Sequence, residues 1–187
     1  MRVIAGIYKS RLLKFPKNPS IEIRPTQDKV KQAMFEIIKA DLVGADVLEL
    51  FAGSGALGIE ALSRGAGSVT FVDRERECIE VVHQNLDSLG IGAGAAVIKA
   101  DIFRAIRDLS EQGARFGIII ADPPYGTDHI RKLLIKLDTY AILKKPFLIV
   151  IEHSRKDSVP QEEGSIILLK QYNYGDTVLS VYRKNKD

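Results

Sequence analysis

The chain's 187 residues, 45% of them hydrophobic, suffice for one domain with a substantial core and are too few for two full-sized ones. The longest apolar run, 147–151, is far short of the roughly 20 residues a membrane-spanning helix needs. No N-terminal signal pattern is read, and the single cysteine, Cys78, excludes an intrachain disulfide and a cysteine-built zinc site, so a soluble cytoplasmic protein is expected. The net charge of +3 is uneven: residues 1–40 carry nine basic and three acidic side chains, and the rest of the chain sums to −3. That asymmetry fits a polyanionic partner, or a basic strand edge guarded by lysines.

Residues 3–5 and 12–15 predict two short strands around a turn at Lys9-Ser10. Pro16, Pro19 and Pro25 then keep the chain extended. Thr26 is placed to cap a helix whose apolar positions are Val30, Ala33, Met34, Ile37 and Ile38, with Gln27 and Asp28 in its first turn. From residue 46 strands and helices alternate. Strands are predicted at 47–51, 68–72, 95–99, 116–121 and 147–152. Helices are predicted at 56–64, stopped by Gly65; around Ile79, Val82, Leu86 and Leu89, closed by Gly90; around Ile102, Ile106 and Leu109; and around Ile130, Leu133, Leu134 and Leu137. Unbroken apolar strands alternating with helices predict a parallel, doubly wound α/β sheet. Residues 154–164 read as a surface loop. The runs 166–174 and 177–182, joined at Gly175-Asp176, can only pair antiparallel.

Ligands of open α/β sheets bind beyond the carboxyl ends of the strands, and Asp73, Asp101 and Asp122 all fall there. Gly53-Ser54-Gly55-Ala56-Leu57-Gly58 follows the first strand as G-x-G-x-x-G, with Asp73 twenty residues after Gly53. By pattern alone this is a dinucleotide fingerprint, and an NAD-dependent oxidoreductase is one reading. It leaves Asp101, Asp122-Pro123-Pro124-Tyr125 and the antiparallel ending without a role. Carboxylates accept from ribose hydroxyls and from an adenine amino group, which suits Asp73 and Asp101; both also suit a helix cap.

Asp122-Pro123-Pro124-Tyr125 is the most specific signal. Two prolines after a buried strand stiffen the backbone and remove two donors, leaving carbonyl acceptors beside a carboxylate and a ring that can stack on a base. Acceptors at Asp122 and the Pro123 carbonyl would draw both N–H groups of an exocyclic amine toward tetrahedral geometry and localise its lone pair. The bland alternative is a stiff loop with a packed tyrosine.

The stretch Glu49-Leu50-Phe51-Ala52-Gly53-Ser54-Gly55, the acids at Asp73 and Asp101, and the terminal hairpin resemble the Rossmann-like class of S-adenosyl-L-methionine (SAM) methyltransferases. The tetrapeptide resembles the motif of those acting on planar amino groups of bases. Arg2-Val3-Ile4-Ala5-Gly6, Arg11-Leu12-Leu13, Arg24-Pro25-Thr26 and Met34-Phe35, ahead of residues 50–61, further resemble the RsmD family of bacterial small-subunit ribosomal RNA guanine-N2 methyltransferases. The resemblance runs from residue 1 to Tyr174-Gly175-Asp176-Thr177. It implies a mostly parallel seven-stranded sheet with an antiparallel C-terminal hairpin strand, preceded by an N-terminal β-hairpin and helix. On this view 1–40 is a basic extension of a single domain whose catalytic core is 41–187.

The resemblance further implies SAM as cofactor, S-adenosyl-L-homocysteine as product, no metal, and a monomer without membrane contact. The implied substrate is the N2 amino group of one guanine, guanine 966, of 16S ribosomal RNA on the assembled 30S particle. Adenine-N6 methylation of a nucleic acid is the nearest alternative. Implied catalytic positions are Asp122, Pro123, Pro124 and Tyr125. Implied cofactor positions are Thr26, Glu49, Phe51, Gly53, Ser54, Gly55, Asp73, Arg74, Asp101 and Ile102. Lys9, Arg11, Lys14 and Arg24 are the RNA-binding candidates on the basic N-terminal segment. His83, His129 and His153 are given no catalytic role; His129, four residues after Tyr125, is expected on a helix surface, with the border of the base pocket as the alternative. Cys78 is expected to pack. Tyr172 and Tyr174 are read either as stacking on RNA or as packing within the hairpin.

Overall fold

A computed structural model describes residues 1–17, 27–124 and 128–184. The elements in chain order are α1 (Asp28–Leu42), β1 (Asp46–Leu50), α2 (Ala56–Ser63), β2 (Ser68–Asp73), α3 (Arg76–Leu89), β3 (Ala95–Lys99), α4 (Ile102–Glu111), β4 (Phe116–Ala121), α5 (His129–Thr139), β5 (Leu143–Ser154), β6 (Glu162–Glu163), β7 (Ile166–Tyr174) and β8 (Thr177–Lys184). They build one sheet in the order β3-β2-β1-β4-β5-β8-β7-β6. The first five strands of that order are parallel, and β8 inserts antiparallel between β5 and β7. The expected seven strands are all present; the two-residue β6 adds an eighth at the edge, inside the stretch read as a loop.

Strand side chains alternate between faces, and both faces are covered. One face carries Val47, Phe71, Ile118, Ile120, Leu148, Val150, Leu179 and Val181 against α1, α2 and α3. The other carries Leu48, Leu50, Val72, Ile119, Ile149, Ile151 and Tyr182 against α4 and α5. In α4 the buried residues Ile102, Ala105, Ile106 and Leu109 follow i, i+3, i+4, i+7, the stripe that docks a helix on a sheet. Asp101 caps its start, accepting from the Phe103 and Arg104 N–H groups at 3.0 and 3.2 Å. At the end of α3 the chain turns at Gly90, φ +68°, and the Ile91 N–H bonds the Leu86 carbonyl at 2.9 Å, satisfying a terminal acceptor.

The N-terminal hairpin is shorter than its sequence predicts. Only Arg2 and Leu12 form a bridge, flanked by backbone bonds from Val3 N–H to Arg11 and from Leu13 N–H to Met1. The Ile4 and Ala5 N–H groups, expected to extend a strand, donate instead to the Glu60 carboxylate on α2 at 2.7 and 2.9 Å. A charged acceptor outcompetes a ladder carbonyl there. Glu60 also takes the Arg64 guanidinium at 2.7 Å and stands 3.6 Å from the fully buried Lys31 ammonium, which donates to the Arg2 carbonyl. Thr26, the predicted cap of α1, lies outside the described residues; the residue preceding the helix is Gln27, whose side chain makes no capping bond.

Candidate active site

Beyond Leu50 the chain reverses through a turn in which Phe51, Gly53 and Gly55 all have positive φ, at +60°, +55° and +73°. Asp73, at the end of the neighbouring β2, holds this turn. Its Oδ2 accepts the Gly53 N–H at 2.8 Å and its Oδ1 the Glu75 N–H at 2.9 Å. From beneath, Glu49 Oε2 accepts the Gly58 N–H at 2.9 Å, tying α2 to β1. Gly58 is required by space: a Cβ there would lie 2.4 Å from Phe71 and 2.6 Å from the Glu49 carboxylate. On the third side the buried Asn85 amide donates to the Ser54 carbonyl at 2.9 Å and accepts the Lys14 N–H at 2.8 Å. Sequence reading missed Asn85, although a polar residue in register with Val82, Leu86 and Leu89 on the buried face of α3 was the available signal.

Asp73 ends β2, and Asp101 follows the end of the adjacent β3 by two residues, so both acids stand on the carboxyl side of the sheet. Asp73 is nearly buried and Asp101 exposed. Asp101 fills the capping role that was its alternative reading; both of its bonds use Oδ1. Arg74 is exposed and paired with Glu75 at 2.9 Å. The Ile102 side chain is 3% exposed and sits in the core beneath α4, where the first helical residue after a cap turns inward. His129 departs from a surface position. It is half-buried, with Phe51 edge-on at a ring separation of 5.9 Å and Phe103 stacked at 6.1 Å. The signal was its place at the start of α5, opposite the carboxyl end of β1.

Leu50 pairs with Ala121, and Ala121 with Ile151, so Asp122 emerges between Phe51 and Glu152. Pro123 is buried, Pro124 is exposed, and Tyr125 lies outside the described residues. Burial first, then the carboxylates of Glu152 and Glu49, hold the Asp122 carboxyl well above the usual range. Burial also pushes Glu49 up to about 8, against the opposing pull of the Gly58 and Leu57 N–H groups. Three carboxyls thus meet in one poorly solvated corner, where each disfavours the charge of its neighbours. Glu152, at the end of the apolar run of β5, was not singled out from sequence.

Of the basic candidates, Lys9 is exposed, while Arg11 donates to the Ser88 carbonyl at 2.8 Å and Lys14 to the Gln84 side chain at 2.9 Å. Both reach the outer face of α3. Arg24 lies outside the described residues. Cys78 is buried, its thiol pushed up to about 12 mainly by burial. His83 is exposed, and His153 is buried against Ser180 at 2.7 Å. Among the described residues no helix is long and apolar enough to cross a membrane.

The model of a family described as conserved hypothetical protein 95 matches residues 1–183. A Bacillus subtilis protein, YlbH, provisionally assigned as an rRNA methyltransferase, is 40% identical over 98% of this chain and 99% of its own. Ribosomal RNA small subunit methyltransferase D of Escherichia coli K12 is 29% identical over 98% of this chain and 90% of its own. The solved structure of yhhF from Escherichia coli, provisionally a methyltransferase, superposes with a TM-score of 0.84 at 27% identity, covering 100% of this chain and 99% of that one.

Proposed function

Since the chain belongs to the conserved hypothetical protein 95 family, the RsmD family of Rossmann-like methyltransferases, we propose that it methylates ribosomal RNA from SAM. The finer reading is transfer to the exocyclic N2 of a guanine of the small-subunit RNA, guanine 966, on the assembled 30S particle. The observation that carries it is the setting of Asp122-Pro123: a carboxyl at the end of β4, one strand from a glycine turn held by Asp73. The names of the relatives support RNA as substrate.

The residues at the strand ends have the chemistry that SAM requires. Asp73 and Asp101 offer carboxylate acceptors for ribose hydroxyls and an adenine amino group. The proposal assigns Phe51, Ser54 and Arg74 to the same cofactor site, with Glu49 tying its floor to α2. When bound, SAM supplies an electrophilic methyl sulfonium. Asp122 Oδ and the Pro123 carbonyl accept the two amine N–H groups, aim the lone pair at the methyl, and Asp122 takes the proton that nitrogen releases. Tyr125 stacks on the flipped base. Lys9, Arg11, Lys14 and Arg24 meet RNA phosphates. A nicotinamide reading leaves the acid at β4 and the inserted β8 without a role.

The test is transfer of labelled methyl from SAM to unmodified small ribosomal subunits, with naked ribosomal RNA and DNA alongside, and identification of the nucleoside by mass. N2-methylguanosine is expected, falling about a hundredfold or more in Asp122→Ala, the scale of removing one positioned transition-state interaction. Because burial raises the Asp122 carboxyl above the ordinary carboxylate range, transfer should also rise with pH as its carboxylate forms. Methyladenosine would replace the guanine assignment, and no transfer to any nucleic acid would overturn the reading.

A further inference from the structure

A second recess lies away from the glycine turn. An open cleft of about 590 Å³ separates the N-terminal half of α1 from β7, lined by Lys29, Gln32 and Glu36 of α1 and by Tyr172 and Tyr174 of β7. Register places it in line with the proposed catalytic acid. Ala121 pairs with Ile151, Glu152 with Leu179, and Leu179 with Tyr172. Asp122, Glu152, Leu179 and Tyr172 therefore form one row across four neighbouring strands, on the face that α1 covers. Three strand spacings separate its ends, about 14 Å.

The lining has a definite chemistry. Lys170, Tyr172 and Tyr174 alternate along β7, so they share one face, and the Lys170 ammonium stands 4.8 Å from the Tyr172 ring centroid. Both tyrosines are half-buried against the core and keep part of each ring at the cleft. Glu36 is matched by Lys39 at 2.8 Å. Among the described residues Lys29 and Lys170 form no ion pair with a carboxylate; Lys29 brings positive charge to the cleft wall, and the Lys170 ammonium brings it over the Tyr172 ring at the cleft's edge. Aromatic faces with flanking ammonium groups bind single-stranded nucleic acid, by base stacking and phosphate attraction.

We infer that the cleft between α1 and β7 is a subsite for single-stranded RNA flanking the target base, with a neighbouring base stacked on Tyr172 or Tyr174 and phosphates met by Lys29 and Lys170. This rests on the proposal that the substrate is RNA. Holding the strand three strands away from Asp122 would keep the target nucleotide extruded toward the acid.

Binding of a labelled single-stranded RNA of about ten nucleotides, and KM for unmodified small ribosomal subunits, test the subsite. Tyr172→Leu with Tyr174→Leu preserves apolar packing and should weaken both by about tenfold or more, while S-adenosylhomocysteine affinity is retained. Tyr172→Phe with Tyr174→Phe should restore them, because stacking needs the ring and packing alone does not distinguish the pairs. Lys29→Ala with Lys170→Ala, which leaves the hairpin packing intact, should lower the slope of log affinity against log salt by roughly 0.7 for each phosphate no longer neutralised. Unchanged RNA affinity in the leucine variant, or an unchanged salt slope in the lysine variant, would overturn the subsite while wild-type methyl transfer still stood. A dimer in sedimentation that the leucine variant abolishes would instead assign the cleft to a second copy of this chain. Absence of wild-type transfer to RNA would be failure of the underlying proposal.

Discussion

Glu49 is a carboxyl that the fold prefers neutral. It is the last residue but one of β1, beneath the glycine turn, 2% exposed, and burial raises it to about 8 from an ordinary 4.5. Between those values the folded protein holds a proton that the unfolded chain has released, so stability falls as pH rises through that window. Glu49→Gln keeps an acceptor for the Gly58 N–H and has no proton to lose. Thermal unfolding from pH 5 to pH 8 should therefore show a declining Tm for the wild type and a flatter profile for the variant. Parallel profiles would mean that Glu49 is ionised in the folded state. Asp122, raised for the same reason, contributes in the same direction, so some slope should survive in the variant.

Helix α2 organises more than its eight residues suggest. Its start faces the glycine turn, and its second turn presents Glu60 to the N-terminal segment and to Lys31 of α1. The Ser63 hydroxyl and carbonyl accept the Tyr8 and Ile7 N–H groups, so the backbone donors of residues 4, 5, 7 and 8 are met by one helix. Glu60→Gln leaves the Lys31 ammonium buried without its counter-charge. Breaking a buried pair on one side costs about 3–5 kcal/mol, which for a chain of this size lowers Tm by roughly 10 °C. Limited proteolysis should then cut within residues 1–17 while the sheet stays protected. Equal protection of that segment in both proteins would show that its apolar contacts, Val3 and Leu13 in the core, suffice to dock it.

At the scale of the whole molecule, the strand order reverses between β1 and β4, the switch point beyond whose carboxyl ends open α/β sheets bind ligands. A ligand bound there should stabilise the fold by mass action. S-adenosylhomocysteine at about a hundredfold excess over its Kd contributes about 2.7 kcal/mol, a rise in Tm on the order of 5–10 °C. NAD should give none, and Asp73→Ala should remove most of the rise by unpairing the Gly53 N–H and deleting the proposed ribose acceptor together. A shift with NAD and none with S-adenosylhomocysteine would return the glycine pattern to its dinucleotide reading.

Local chemistry made most of the framework legible. Strands at 95–99, 116–121 and 166–174 match their sequence limits, because apolar runs and turn residues are set by neighbours in the chain. The glycine turn and the three strand-end acids were readable for the same reason: spacing along a strand fixes which residue stands at its carboxyl end. What the chain order could not convey was the choice among polar partners. Asp101 could cap a helix or face a ligand, the Ile4 N–H could enter a ladder or meet Glu60, and His129 could face water or slide between Phe51 and Phe103. Those choices were settled by distance across the fold and by burial, which raises the cost of every unmet donor and every solitary charge. They are properties of tertiary packing, and the sequence alone carries them only as alternatives.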